Sequence, residues 1–235
     1  MSKILVLSII IFTFMLSCSD NTTPSTFIKT EYGTVTDIDG KIYKTVKIGT
    51  QWWMAENLNV ERYRNGDSIP HITDHTKWEG GMFNNDAWCY YNNDPAIGAV
   101  YGKLYNWDAA EDPRGLAPIG WHIPTDAEWT TLTNYLGGEE TGGKMKEKGT
   151  KNWFSPNTDA TNSSGFSGLP GGIRSSGIYV DFQDIGIEGY WWSSTEGTGQ
   201  FSSYHLCLEL HSAYNFSYSR LVYDKSGVSV RCVKD

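Results

Sequence analysis

Gly120-Trp121-His122-Ile123-Pro124-Thr125-Asp126-Ala127-Glu128-Trp129, continuing through Leu136 to Gly137, is the stretch whose reading decides the fold. Thr125 stands where a helix N-cap is needed and Glu128 follows three residues later, so each side chain can satisfy the other's free backbone N–H. The spacing predicts a helix over 125–136 with Trp129, Leu132, Tyr135 and Leu136 on its inward face. Gly137 ends it in the left-handed conformation that a Cβ disfavours. No other segment is as clearly helical. Downstream, residues 142–149 offer one more helical turn, and 156–172 (PNTDATNSSGFSGLPGG) are too rich in Gly, Asn and Ser for helix or strand. Short strands are then expected near 173–182, 189–195, 203–210, 215–223 and 227–233. Upstream, residues 33–48 alternate apolar and polar around Asp39-Gly40, a hairpin signal with a two-residue primed turn. Residues 51–58 are compact and apolar, 59–98 read as a long loop, and 101–110 offer a short helical turn with Leu104, Tyr105 and Trp107 facing inward. The expected class is α+β, a single domain with few helices, antiparallel strands and long loops.

Composition agrees. Ten Trp, fourteen Tyr and nine Phe with 25 Gly in 235 residues suit a turn-rich chain built on flat rings rather than a Leu/Ala bundle. The formal charge of −8 offers no basic field for a phosphate backbone, which argues against a nucleic-acid partner.

The N-terminus sets the compartment. Lys3 precedes an apolar run from Ile4 to Leu16, 13 residues long, against about 20 for a membrane-spanning helix. Residues 1–17 are therefore expected to be a signal peptide. Met15-Leu16-Ser17-Cys18 is similar to the bacterial lipobox, which makes Cys18 the lipidated first residue of a lipoprotein; the alternative is a soluble secreted protein. Several acyl chains would hold firmly, since each buried methylene contributes about 0.8 kcal/mol. Residues 18–30 read as a flexible tether and 31–235 as the folded domain. The expected location is the cell envelope, at the outer membrane and exposed at the surface, with the N-terminal lipid as the contact to the membrane. Cys89, Cys207 and Cys232 then remain. A bridge between Cys207 and Cys232, both in expected C-terminal strands, would close a loop of about 25 residues; three buried thiols are the alternative.

Candidate chemistry divides into weak catalytic signals and two binding signals. His71-Ile-Thr-Asp-His75-Thr-Lys77 has Lys77 where a third metal ligand would need a carboxylate. Gly138 to Met145 satisfies G-x4-G-K, but Met145 replaces the magnesium-binding hydroxyl and a helix, not a strand, precedes it. Asn157, Asp159 and Asn162 form an oxygen-rich loop of the donor type that suits calcium, or alternatively a set of Asx-turns. Trp78, Trp88, Tyr90, Tyr91, Trp191 and Trp192 are candidates for stacking on a sugar ring, with core packing as the alternative for each. Trp191 and Trp192 are adjacent in a strand, so on a half-buried sheet only one can be core.

Several motifs in order carry a family resemblance. The 120–129 stretch is similar to the helix start of the formylglycine-generating enzymes, and Val228-Ser229-Val230-Arg231-Cys232 to their closing strand. More closely, Trp52-Met54-Glu56-Asn57-Leu58, Tyr101-Gly102-Leu104-Tyr105-Asn106-Trp107, Asn157-Ala160-Asn162-Gly165-Phe166, Leu169-Pro170-Gly171-Gly172-Arg174 and Trp192-Ser193-Ser194-Thr195 resemble the Fibrobacter succinogenes major paralogous domain (FISUMP). The resemblance spans about residues 33–234. It implies a C-type-lectin-like fold and places the chain among secreted proteins and lipoproteins of Bacteroidetes and Fibrobacteres without an established activity. Where that family often has Cys-Pro, this chain has Ala117-Pro118, which weakens the disulfide expectation. The expected function is non-catalytic recognition of an extracellular glycan or protein. The alternatives are an envelope enzyme, either formylglycine-generating-like or glycan-cleaving, and a structural or adhesive surface module.

Overall fold

The computed structural model describes residues 30–79, 86–176 and 181–235. The signal peptide, Cys18 and the tether up to residue 29 lie outside the described residues. Strands β1 (Tyr32–Thr36), β2 (Ile42–Ile48) and β3 (Gln51–Met54) open the chain. Helix α1 (His75–Glu79), β4 (Trp88–Cys89) and the start of α2 (Pro95–Tyr101) break up the stretch 59–98 expected to be loop, and β5 (Leu104–Tyr105) and α3 (Trp107–Glu111) follow where a short helical turn was expected. Then come β6 (Trp121–His122), α4 (Asp126–Leu136), α5 (Gly142–Met145), β7 (Ile173–Arg174) and β8 (Phe182–Gln183). Strands β9 (Glu188–Trp192), β10 (Tyr204–His211), β11 (Ser217–Tyr223) and β12 (Val233–Lys234) complete the chain. The α+β expectation holds: five short helices among the described residues, and antiparallel strand pairs throughout the sheets.

A five-stranded sheet in the order β1-β2-β3-β12-β6 brings the two ends of the domain together, since Val233 pairs with both Trp53 and His122. A second sheet runs β11-β10-β9. The capping box on α4 forms as expected: Glu128 N donates to Thr125 Oγ1 while Thr125 N donates to Glu128 Oε2 at 2.8 Å. Gly137 caps the other end with φ 118°. Trp129, Leu132 and Leu136 are buried, but Tyr135 is 54% exposed and lies across Gly49, where a Cβ would meet its ring at 2.9 Å. The β1–β2 turn also differs from expectation. Gly40 alone has positive φ, with Gly40 N donating to Asp37 O and Asp37 N to Lys41 O. That is a three-residue loop ending in a glycine bulge, because Asp39 does not take the left-handed conformation a primed turn needs.

Three apolar clusters hold the molecule together. One gathers Tyr43, Tyr63, Tyr105, Trp107, Trp121, Tyr190, Trp192 and Cys207; a second gathers Trp53, Trp129, Trp153, Phe166 and Trp191; a third centres on Trp78, Cys89 and Tyr91. Trp191 and Trp192 are both 0% exposed, against the expectation that only one could be core. β9 is covered on both faces: Trp191 packs edge-on to Phe166 in one cluster and Trp192 against Trp107 in another.

The disulfide expectation is overturned. Cys89, Cys207 and Cys232 are free buried thiols. In register Cys207 faces Trp192 on one side and Arg220 on the other, and it packs as a small apolar side chain. Burial pushes the Cys89 thiol up to about 12 and raises Cys207 and Cys232 as well. None of them is a ready thiolate.

Candidate functional site

Strand alternation on the second sheet places polar side chains on one face. Glu188 and Tyr190 of β9 stand opposite His211 and Glu209 of β10, and Arg220 of β11 is one strand further out. The Arg220 Nη1 donates to Glu209 Oε2 at 2.8 Å and to the Tyr190 hydroxyl at 3.2 Å, with Glu188 Oε2 at 3.7 Å. The Tyr190 hydroxyl donates in turn to Asp184 Oδ2 at 3.5 Å. Asp184 holds φ 68° in the turn entering β9, a left-handed position that Asp tolerates. His211 Nε2 lies 3.4 Å from Glu188 Oε1. Burial, then the neighbouring Glu209 and Asp184, pushes the Glu188 carboxyl up to about 7 against the pull of Arg220. Burial holds the His211 imidazole below its usual value.

Tyr190, Arg220 and Val222 of this face form one wall of a cleft of about 450 Å³, whose other wall comes from β7, β8 and the residues beside them; Glu188 and Glu209 lie outside its lining. Ser175, Ser176, Gln183, Asp184, Tyr204, Arg220 and Tyr223 line it. Tyr204 and Tyr223 face each other across β10 and β11 with ring centroids 5.5 Å apart, and they are 42% and 37% exposed. Tyr204 and Tyr223 are an odd number of residues from Glu209 and Arg220 along β10 and β11, so alternation turns their rings to the other face of the sheet. The guanidinium, carboxylate, amide and hydroxyls that remain in the cleft can bind a ligand rich in hydroxyl groups.

The residues singled out in the sequence lie mostly elsewhere. Trp78, Trp88, Tyr91, Trp191 and Trp192 are core side chains at 6% exposure or less, so their faces are already covered; only Tyr90 is half-buried. A second recess of about 490 Å³ is lined by Glu61, His71, Trp88, Tyr90 and Asn93. Its rings are taken by the chain itself: the His71 imidazole stacks on Trp88 at 4.0 Å and 3°, and Lys103 Nζ lies 4.4 Å from Trp88 and 5.1 Å from Tyr90. That ammonium is held by Asn59 O and Oδ1, with Glu61 at 3.3 Å.

In the oxygen-rich loop Asn157, Asp159 and Asn162 all have left-handed φ, between 45° and 55°. Asn157 Nδ2 donates to Glu147 O and Gly149 O; Asn162 exchanges hydrogen bonds with Ser167. Asn157 Oδ1 is buried without a partner. The charge facing Asp159 is the buried Lys146, whose Nζ donates to His211 O and Tyr214 O. His71 and His75 part company, since His75 Nδ1 lies 3.3 Å from Asp181. Among the described residues no three His, Cys, Asp or Glu side chains gather as a metal site.

The motif residues have a different task. Asn57 Oδ1 accepts from Arg231 Nε at 2.9 Å and from Trp191 Nε1 at 2.8 Å, while the rest of the Arg231 guanidinium donates to Phe166 O and Ser167 O. Arg174 is likewise buried, on Asp181, Ile72 O and the Trp78 ring. Such a chain defines a class by its interior: an aromatic α+β domain cross-braced by buried cations, with its clefts at the surface. The family model of the Fibrobacter succinogenes major domain matches residues 46–234, and the chain belongs to that family. A search of curated proteins and a search of solved structures each find no match.

The polar residues on this face of the second sheet carry no tryptophan signal in the sequence. A signal was present: Glu188-Gly-Tyr190, Glu209-Leu-His211 and Tyr218-Ser-Arg220 each set two polar or charged groups two residues apart in neighbouring strands.

Proposed function

We propose that this protein is a non-catalytic, lipid-anchored envelope protein whose domain binds an extracellular glycan in the cleft of the second sheet. The observation that carries the reading is a cleft of about 450 Å³ in which Ser175, Ser176, Gln183, Asp184 and Arg220 gather with few internal bonds. The few helices, antiparallel sheets and long loops support kinship with the C-type-lectin-like fold. The apolar run before Cys18 supports the anchor and an outer-membrane location.

The test is retention of the chain carrying Cys18→Ser on a panel of immobilised polysaccharides, with the glycan's integrity followed in parallel. Replacing Ser176 and Gln183 with Ala is expected to reduce retention at least tenfold, about 1.4 kcal/mol, without changing the melting temperature. Unchanged retention would remove the cleft from consideration. Glycan cleavage by the wild type would favour the second reading, a glycan-cleaving enzyme, for which the observation is Glu188: a carboxyl held to about 7 beside Glu209 and Arg220 is poised as a general acid. Glu188→Gln would then abolish cleavage and spare binding.

A further inference from the structure

The second sheet has one open edge among the described residues. Beyond β9 the sheet is closed by Ser229, whose carbonyl accepts from Trp192 N, whereas no strand pairs with β11 on the side away from β10. Ser217-Tyr218-Ser219-Arg220-Leu221-Val222-Tyr223 runs in unbroken register with β10 and contains no Pro, Gly or Lys. Bulges, prolines and lysines are the devices that keep an edge from pairing with another chain, and here Arg220 is the one charge. The outward groups can be identified. Ser217 N turns away from β10 to donate to Glu139 O, and Asp224 N turns the other way to donate to Ser203 O. By alternation Ser219, Leu221 and Tyr223 present their N–H and C=O groups outward. Among the described residues nothing bonds Ser219 N and O, Leu221 N and O, or Tyr223 N.

The side chains show which end of the edge is bare. On the face away from Arg220, Leu208 and Leu210 pack with Trp129 and Leu132 of α4. The same face continues into Tyr204 opposite Tyr223 and Leu206 opposite Leu221, where Tyr204, Leu221 and Tyr223 are 37–43% exposed. A second copy of β11 fits this edge in one register. A two-fold axis perpendicular to the sheet sets two β11 strands antiparallel and keeps each face continuous, so one residue stands opposite its own copy. With Ser219 on the axis, the second copy's Leu221 would collide with Glu139, which occupies the outer side of Ser217. With Arg220 there, two guanidinium groups would stand directly opposite. With Val222 there, Ser219 is left unpaired. Leu221 on the axis avoids all three. It exchanges both backbone bonds with its copy, Ser219 exchanges bonds with the second copy's Tyr223, and Arg220, still held by Glu209, lies against the second copy's Val222. The bare apolar row is thereby extended and Leu221 is covered by Leu221. Because Arg220 lines the cleft, the second copy also brings a side chain to the cleft's rim.

We propose that this protein forms a two-fold dimer through β11, joining two three-stranded sheets into one continuous sheet with Leu221 on the axis. The experiment follows the mass of the Cys18→Ser chain by light scattering across about a hundredfold range of concentration. The mass is expected to rise toward twice that of the monomer, and Leu221→Lys, which sets two ammonium groups face to face, to weaken dimerisation at least tenfold. Single cysteines test the register. A hydrogen-bonded antiparallel pair has Cα atoms about 5.5 Å apart, within disulfide range, and the native thiols are buried. Leu221→Cys is therefore expected to crosslink the chain to its copy on mild oxidation, and Ser219→Cys to stay uncrosslinked. A monomer at every concentration would overturn the proposal and leave the edge to a strand of another protein. A dimer that survives Leu221→Lys, or that Leu221→Cys does not crosslink, would overturn β11 as the interface.

Discussion

Arg231 shows how one buried side chain can set the price of a fold. Its guanidinium is wholly out of water, burial lowers its pKa to about 9, and its partners are oxygens of Asn57, Phe166 and Ser167 rather than a carboxylate. Phe166 and Trp191 flank it at 4.2 and 5.5 Å. Arg231→Met keeps most of the volume but orphans the Phe166 and Ser167 carbonyls and leaves Asn57 Oδ1 only its bond from Trp191, and it is expected to cost about 3–5 kcal/mol in urea unfolding. A cost below about 1 kcal/mol would show that water replaces the guanidinium. Glu188 is the residue whose pH dependence can be read. Its carboxyl is raised to about 7 in the fold, so between an unfolded value of about 4.5 and 7 the native state holds the extra proton. Stability contributed by this group is present at low pH and lost as pH rises through 7. Glu188→Gln is expected to flatten that slope between about pH 5 and 7 and to stabilise the protein at pH 8 by about 1–3 kcal/mol; an unchanged slope would assign the dependence to another group.

At the scale of elements, α4 and the 157–162 loop make the contrast. The helix is local: Thr125, Glu128 and Gly137 fix its ends through bonds within the segment itself. His122 then ties it to the chain terminus, with Glu128 at 2.8 Å and Asp235 at 2.7 Å. Burial lowers the imidazole's pKa, but these two partners outweigh it and the net shift is upward. The loop, by contrast, is held by a distant element. Lys146, carried just past α5, brings its ammonium to the carbonyls of His211 and Tyr214 and faces Asp159, and burial lowers its pKa to about 8. With a lysine supplying the positive charge there, a chelator is expected to leave the melting temperature unchanged. A fall of several degrees on adding EDTA, restored by calcium, would instead make Asn157, Asp159 and Asn162 a calcium site.

Over the whole molecule, thiol chemistry tests the interior directly. In the Cys18→Ser chain, Cys89, Cys207 and Cys232 are expected to be unreactive toward a thiol reagent until denaturant is added, when all three react. Two silent cysteines in denaturant would restore the bridge. The sequence by itself determined what depends on neighbours along the chain: the capped helix, the hairpin from β1 to β2, the order of short strands, the α+β class and membership of the family. It also marked Asn57, Phe166, Arg174 and Arg231, whose motifs carried the resemblance. Tertiary structure decided the rest. Whether Trp191 or Trp192 is core depends on what covers each face of β9, and both faces are covered. Whether Cys207 meets Cys232 depends on strand register, which sets Trp192 and Arg220 beside it instead. The polar face exists because β9, β10 and β11 align Glu188 and Tyr190, Glu209, and Arg220 side by side, with Tyr190 and Arg220 reaching the cleft. Period-two alternation specifies a face within a strand, but only pairing between strands brings three such faces together.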